Sequence, residues 1–315
     1  METIRAVVVD PAKDTKLVLQ NVEETAPLPN EAVVKVEAIS LNRGEVRMAQ
    51  NAPAGRRPGW DFAGTVLQEA SDGSGAKVGA RVVGMARSGA WTSRLNSATD
   101  KIAELPDSVS FAVASTLPVA GLTAYHALSK GGLLLGKPVL ITGATGGVGN
   151  YALQLAKLSG AKVVAHVRRA EQEAEVRAAG ADAVVIGDDI TASKPFGDYW
   201  LIVDSVGGAT LGQALRSLDK GGTVVSLGTS GGNDVTFEAQ KFYPIGGAKL
   251  YGFILFDEFT TLETTSDGLK RLAELVADGK VTPHISVEDS WENIAAISQD
   301  LLARKYPGKA VLSVK

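Results

Sequence analysis

From residue 137 onward, short apolar runs alternate with longer stretches of helical period. Residues 139–141, 162–165, 182–186, 199–204 and 223–228 are short and rich in β-branched side chains, the pattern of parallel strands buried on both faces. The run 250–255 reads as a last strand. Between them, 151–158, 170–179 and 211–218 repeat at helical spacing, with Gly160, Gly180 and Gly221 just past their ends, where a glycine closes a helix. Strand alternating with helix predicts an α/β doubly wound parallel sheet.

The pattern before residue 117 is different. Short alternating runs at 4–9, 16–20, 31–39, 59–67 and 77–85 are separated by glycine and proline turns, which predicts a small, mostly β, barrel-like domain. Residues 41–47 read as a loop entering a short helix, and 51–59 as a flexible link. Asp107 or Ser110 caps a helix over 111–116, and 122–128 is a second apolar helix. After about residue 257 the rhythm changes again. Helices at 269–276 and 291–302 and a closing strand at 308–314 are expected to pack back on the first domain. The division is therefore 1–116, 117–257 and a return segment, 258–315.

The strand at 139–141 runs into Gly143, Gly146, Gly147 and Gly149 and then into a helix. Ala144-x-Gly146-x-x-Gly149 is the dinucleotide fingerprint with alanine in the first slot. Small residues let the turn tighten and a diphosphate approach the main chain, and Gly149 lets helix and strand pack closely. The free N–H groups and positive dipole end of the helix then face the anion. Ala144, Thr145, Gly146, Gly147 and Val148 are the expected diphosphate contacts. Where an NAD-binding chain carries an acid at the end of the second strand, this one has His166-Val167-Arg168-Arg169. Two guanidiniums there would grip a 2′-phosphate, so NADPH is the expected cofactor, unless the pair is only a solvated strand end. His166 packs or lines the adenine pocket. Ser205, Val206, Leu227, Gly228 and Thr229 end later strands on the carboxyl edge, where ligands of open α/β sheets bind.

Composition narrows the chemistry. The 315 residues carry a net charge of −3, which leaves no basic footprint for nucleic acid. No apolar run approaches the roughly 20 residues of a membrane span, and the N-terminal residues lack a signal-peptide pattern, so a cytoplasmic location is the expectation. The chain has no cysteine and three histidines, which removes thiolate nucleophiles and cysteine-based zinc sites together.

The segments LNRGEVRM, PGWDFAGTV, GARVVGM, LPVAGLTAYHAL, VLITGATGGVGNYALQLAK, VDSVGG and GKAVL jointly resemble the medium-chain dehydrogenase/reductase superfamily, and within it the zinc-free quinone oxidoreductases of the zeta-crystallin type. The resemblance implies a GroES-like catalytic domain beside the Rossmann domain. Zinc alcohol dehydrogenases of this superfamily carry a cysteine near the position of Asn42 and a His-Glu pair in place of Trp60-Asp61, and a four-cysteine lobe after Met85; this chain has none of these ligands. Without a Lewis acid an ordinary alkoxide is poorly stabilised. The implied activity is therefore hydride transfer from NADPH to an acceptor already electrophilic, a quinone or α,β-unsaturated carbonyl, whose enolate or hydroquinone anion water can protonate.

Family position puts Asn42 and Thr123 near nicotinamide and substrate; a loop-capping Asn42 and a structural Thr123 are the alternatives. Trp60 is a cleft wall or core packing, Arg43 polarises a carbonyl or is solvated, and Asp61 orients loops. Main-chain groups of Phe253, Ile254 and Leu255 touch the nicotinamide in the same reading, and a homodimer is implied. Two rivals remain open. A 2-enoyl-thioester reductase would want a basic groove for its carrier arm, for which Arg56-Arg57 is the obvious pair. A non-catalytic NADPH-binding sensor or structural protein would use the same glycine loops.

Overall fold

In the computed structural model, which describes residues 3–259 and 263–315, the backbone separates into two units: Met1–Leu122 with Phe259–Lys315, and Thr123–Glu258. No described helix is long and apolar enough to cross a membrane.

The first unit begins with a hairpin, β1 (Thr3–Val9) and β2 (Leu17–Glu23). Its main sheet holds β3 (Glu31–Ser40), β4 (Asp61–Gln68), β5 (Arg81–Met85), β6 (Arg94–Ala98) and β7 (Ile102–Glu104). Helix α1 (Arg43–Gln50) follows β3 directly. Helix α2 (Phe111–Ala114) is shorter than its apolar run suggests, and Ser110, not Asp107, caps it: the Ser110 hydroxyl accepts the Val113 N–H at 3.2 Å. The chain then makes a wide π-type turn over Leu117–Gly121.

Segment 51–59 is strapped down rather than a flexible link. The Val9 N–H donates to Arg56 O at 2.9 Å, the Gly55 N–H to Val9 O at 2.8 Å, and the Ala90 N–H to Gly59 O at 3.1 Å.

The second unit contains α3 (Leu122–Ser129) from Thr123 on, and a six-stranded parallel sheet: β8 (Pro138–Ile141), β9 (Lys162–Val167), β10 (Ala183–Ile186), β11 (Tyr199–Asp204), β12 (Leu218–Ser226) and β13 (Lys249–Gly252). The order is β10-β9-β8-β11-β12-β13, the 3-2-1-4-5-6 order of a dinucleotide-binding fold. Helices α4 (Gly147–Leu158), α5 (Glu173–Ala178) and α6 (Gly208–Leu215) connect the strands, and α7 (Ala239–Phe242) and α8 (Leu255–Glu258) are single turns. Helix α4 starts four residues before the apolar period, so Gly147 and Gly149 lie inside its first turn. The last strand ends at Gly252, not 255, because Leu255 already opens α8.

The return segment supplies α9 (Thr265–Ala277), β14 (Ile285–Ser290), α10 (Ile294–Leu302) and β15 (Lys309–Ser313) to the first unit. Strand β15 runs parallel to β14 and antiparallel to β3, with Leu312 opposite Ile39. Leu312 is fully buried in a cluster with Val34, Ile39, Phe62, Trp91 and Trp291. The closing strand is thus an interior strand of the first unit's sheet. Truncation of Leu312 to alanine removes buried apolar contacts and leaves a cavity, so L312A should lower the unfolding free energy by about 2–5 kcal/mol. Urea titration followed by tryptophan emission, with Trp91 and Trp291 in the affected cluster, measures it.

Candidate functional site

The parallel sheet of the second unit brings the carboxyl ends of its strands to one edge. At its centre, between β8 and β11, the strand order reverses and the glycine turn sits. Gly143 adopts φ +61°, a left-handed conformation that disfavours a side chain. At Gly149 a Cβ would stand 2.4 Å from Gly143 O and 2.7 Å from Ala144 Cα, so the helix meets the turn closer than any other residue allows. Gly146 is the extended residue before α4, and Gly147 and Val148 lie in its first turn. The leading N–H groups of a helix have no partner within it, and the first turn of α4 holds no acid, so this end suits an anion. Ala144 is buried, and the Thr145 hydroxyl accepts from the Gln172 amide at 3.3 Å.

Asp204, which the sequence pattern marks only as a strand end, ties this edge together. It is fully buried at the end of β11. Its carboxyl accepts from the Thr142 hydroxyl at 2.6 Å, from the Gly207 N–H at 2.9 Å and from the Val206 N–H at 3.3 Å. Burial pushes its pKa above the usual aspartate value, against those three hydrogen bonds. The Ser205 hydroxyl donates to Thr142 O at 2.9 Å, and the Leu227 N–H donates to Asp204 O at 2.9 Å. Ser205, Val206, Leu227 and Gly228 therefore line adjacent strand ends, with Thr229 exposed beyond them. The Phe253 N–H donates to Ser226 O at 3.0 Å. Phe253 and Leu255 are buried and Ile254 is exposed. Behind them Glu258 accepts from both Lys130 and the Tyr251 hydroxyl.

The two arginines after β9 differ. Arg169 is paired with Glu171 at 2.7 Å. Arg168 is exposed and, among the described residues, has no ion-pair partner. His166 is a packing residue: its Nε2 donates to Gly187 O at 2.7 Å, and burial holds its pKa below the usual histidine value. Thr123 is the second residue of α3 and is buried.

In the first unit the structure gathers Asn42, Glu45, Asp61 and Lys309 into one buried cluster. Asp61 is 0 % exposed and Lys309 3 %. The Asn42 amide nitrogen donates to Asp61 Oδ2 at 2.6 Å and to Glu45 Oε1 at 3.0 Å. Its oxygen accepts from Lys309 Nζ at 2.6 Å. Both amide protons are committed inside the protein, which makes Asn42 the hub of a network. Asp61 also accepts from the Ser40 hydroxyl at 2.7 Å and from the Val119 N–H at 3.0 Å, so it does orient a neighbouring loop. Arg43 is spent elsewhere: its guanidinium donates to Leu301 O at 3.1 Å and Leu302 O at 3.0 Å, capping the end of α10. This guanidinium meets the two carbonyls at the end of α10, and neither a substrate carbonyl nor bulk solvent, the two alternatives open in the sequence. Trp60 is half-buried with its ring against Gly44.

A cavity of about 390 Å³ in the same unit is bordered by Arg56, Arg57, Arg94 and Glu24. Arg94 is paired with Glu24 at 2.9 Å. Among the described residues neither Arg56 nor Arg57 has an ion-pair partner, and the Arg57 Nε is buried without a hydrogen bond.

Comparison with known proteins places this geometry. Residues 28–131 match the alcohol dehydrogenase GroES-like domain and 147–274 the zinc-binding dehydrogenase family. A chloroplast envelope quinone oxidoreductase homolog of Arabidopsis thaliana is 32% identical over 87% of this chain and 89% of its own. An acryloyl-coenzyme A reductase of Sulfurisphaera tokodaii is 34% identical, but the match spans 52% of this chain and about half, 47%, of that protein. The solved structure of Escherichia coli quinone oxidoreductase complexed with NADPH superposes with a TM-score of 0.85 and 26% identity, over 98% of this chain and 100% of that one. The chain is an oxidoreductase of the medium-chain dehydrogenase/reductase superfamily. It belongs there to the quinone-oxidoreductase-like family.

The zinc in one of those descriptions does not fit the donors present. The chain has no cysteine, among the described residues no three histidine, aspartate or glutamate side chains converge on a metal-sized point, and an ammonium already contacts Asp61.

Glu45 gives this cluster a measurable pH signature. Burial, and next the neighbouring Asp61, raise its pKa well above the usual glutamate value, against Lys309 and the Asn42 hydrogen bonds. The folded chain then holds this proton more tightly than the unfolded chain, so the contribution is present below the unfolded value of about 4.3 and is lost as pH rises through the folded one. Urea midpoints measured across pH should fall over that window in the wild type, and E45Q, which keeps the shape of the protonated acid, should lack this part of the slope.

Proposed function

We propose that this chain transfers a hydride from NADPH to the electron-poor carbon of a quinone or an α,β-unsaturated carbonyl without help from a metal. The observation that carries the reading is the glycine turn at the reversal point of the sheet, with the unpaired Arg168 at the neighbouring strand end and no acid at positions 166–169. The close approach at Gly149 leaves the leading N–H groups of α4 to take the diphosphate. Arg168, with Arg169 in part, takes the 2′-phosphate. Ser205, Val206, Leu227, Gly228 and Thr229 line the path of the dinucleotide, and main-chain groups of Phe253, Ile254 and Leu255 with Thr123 flank the nicotinamide. When bound, NADPH supplies the hydride. What the chain adds is orientation of the two reactants, which is worth most when the acceptor is already electrophilic. A homodimer along the open outer edge of β13, all four of whose residues are exposed, belongs to the same proposal.

Two measurements test it. Replacing Arg168 with aspartate should weaken NADPH about 10–100-fold, the scale of a charge-assisted hydrogen bond, while NADH changes little; nicotinamide fluorescence titration reads both. A wild-type chain that binds NADH as tightly as NADPH would refute the assignment. NADPH consumption with 9,10-phenanthrenequinone and trans-2-hexenal tests turnover, and tight binding with no turnover would favour the non-catalytic sensor instead.

One observation favours a second reading, a 2-enoyl-thioester reductase. The free Arg56 and Arg57 guanidiniums border a cavity, and a phosphorylated carrier arm would give them acceptors. On this reading crotonyl-CoA outperforms crotonyl-pantetheine, and R56A/R57A erases the difference by raising KM for the CoA ester alone. Equal rates for the two thioesters in the wild type would remove the reading.

A further inference from the structure

The strongest electrostatic feature of the first unit is a buried lysine whose ammonium touches none of the residues assigned to the dinucleotide. Lys309 Nζ donates to Leu41 O at 3.0 Å, Asn42 Oδ1 at 2.6 Å and Asp61 Oδ2 at 3.2 Å. An ammonium has three protons, and here each has an oxygen. The backbone dictates this meeting: β15 pairs with β3 through Val311 opposite Ser40, and the Leu41 N–H donates to Ala310 O at 3.0 Å. The next step along both chains brings Lys309 to Asn42.

We infer that Lys309 is a positioning residue whose ammonium is the fixed cation of this corner, holding the Asn42 amide and the Asp61 carboxylate in one orientation without a metal ion. The amide orientation follows from its neighbours. Turned over, Asn42 would present its nitrogen to the ammonium and its oxygen to the Asp61 carboxylate, exchanging both attractive contacts for repulsive ones. Charge balance points the same way. Asp61 and Lys309 form one buried pair, and burial raises the pKa of Glu45, one of whose oxygens lacks any hydrogen-bond partner. A divalent cation added to this set would have to evict the ammonium from oxygens it already fills, and would still find no soft donor. Removing the lysine instead strands a buried carboxylate.

The inference does not rest on the identity of the cofactor or acceptor, and its test separates the two. Wild-type protein dialysed against EDTA should keep its thermal midpoint and contain substoichiometric zinc by elemental analysis. Stoichiometric zinc, or a midpoint lowered by the chelator, overturns the inference. K309M should lower the midpoint by roughly 10 °C, K309R by less because the charge is kept, and D61N/K309M by less than the two single changes summed, since neither charge is then stranded. Additive losses overturn the coupling. Retained dinucleotide binding shows that the second unit is still folded in each variant. With an acceptor that turns over, D61N/K309M should regain stability yet keep kcat about tenfold down at an unchanged NADPH dissociation constant. Full recovery of kcat would reduce Lys309 to a structural pair. If no acceptor turns over in the wild type, the reaction proposal fails while the metal and midpoint results still decide this one.

Discussion

An ammonium buried to 3 % exposure survives only if oxygens reach all of its protons at once. In this chain that condition joins residues 248 positions apart. Asp61 opens β4, Asn42 precedes α1, and Lys309 opens β15, so one ion pair fixes where a strand begins, where a helix begins and how the return segment is registered. Ser40 and Val119 add hydrogen bonds to the same carboxylate. A partly satisfied network of this kind would cost more than an apolar core. The one loose end is an oxygen of Glu45, and the same burial raises the pKa of that carboxyl, since a neutral acid is far cheaper to bury than a carboxylate.

The second unit solves a different problem with the same kind of part. A parallel sheet leaves the carboxyl ends of its strands without ladder partners, and those ends must be ordered before a ligand arrives. Asp204 does this through Thr142, Val206 and Gly207, joining the two strands that flank the reversal point. The glycine turn is then held by backbone sterics alone, with no side chain between α4 and the anion it faces. This division suits a site for a diphosphate, which is read by N–H groups and dipole rather than by side-chain charge.

Much of the fold was legible because period and burial agree. The runs at 139–141 and 199–204 are apolar on both faces, and both are interior strands. Strand β6 was not legible, since Arg94-Leu95-Asn96-Ser97-Ala98 carries no apolar face and pairs by backbone alone with β3. Strand β14 fails for the same reason, with only Ile285 and Val287 apolar. The glycine fingerprint could be placed because its chemistry is local. The buried cluster of the first unit could not be read in the same way. A lysine in a short strand ordinarily faces water, and nothing near position 309 announces two acceptors in residues 42 and 61. Arg43 likewise looks free in sequence, and only the end of α10 shows where its guanidinium goes.

The place of β15 has a consequence for biosynthesis. The second unit is one uninterrupted segment, Thr123–Glu258, and can close while the ribosome is still adding residues behind it. The first unit cannot, because the strand that pairs with Ala38–Ser40 of β3 comes from residues 309–313, while β6 covers Glu31–Lys35 along the same edge. Until those residues leave the exit tunnel, the last three residues of β3 lack a partner strand on that edge and Asp61 waits without its counter-ion. That short edge and the lone Asp61 are therefore the last features of the first unit to be closed, after the second unit has already taken shape.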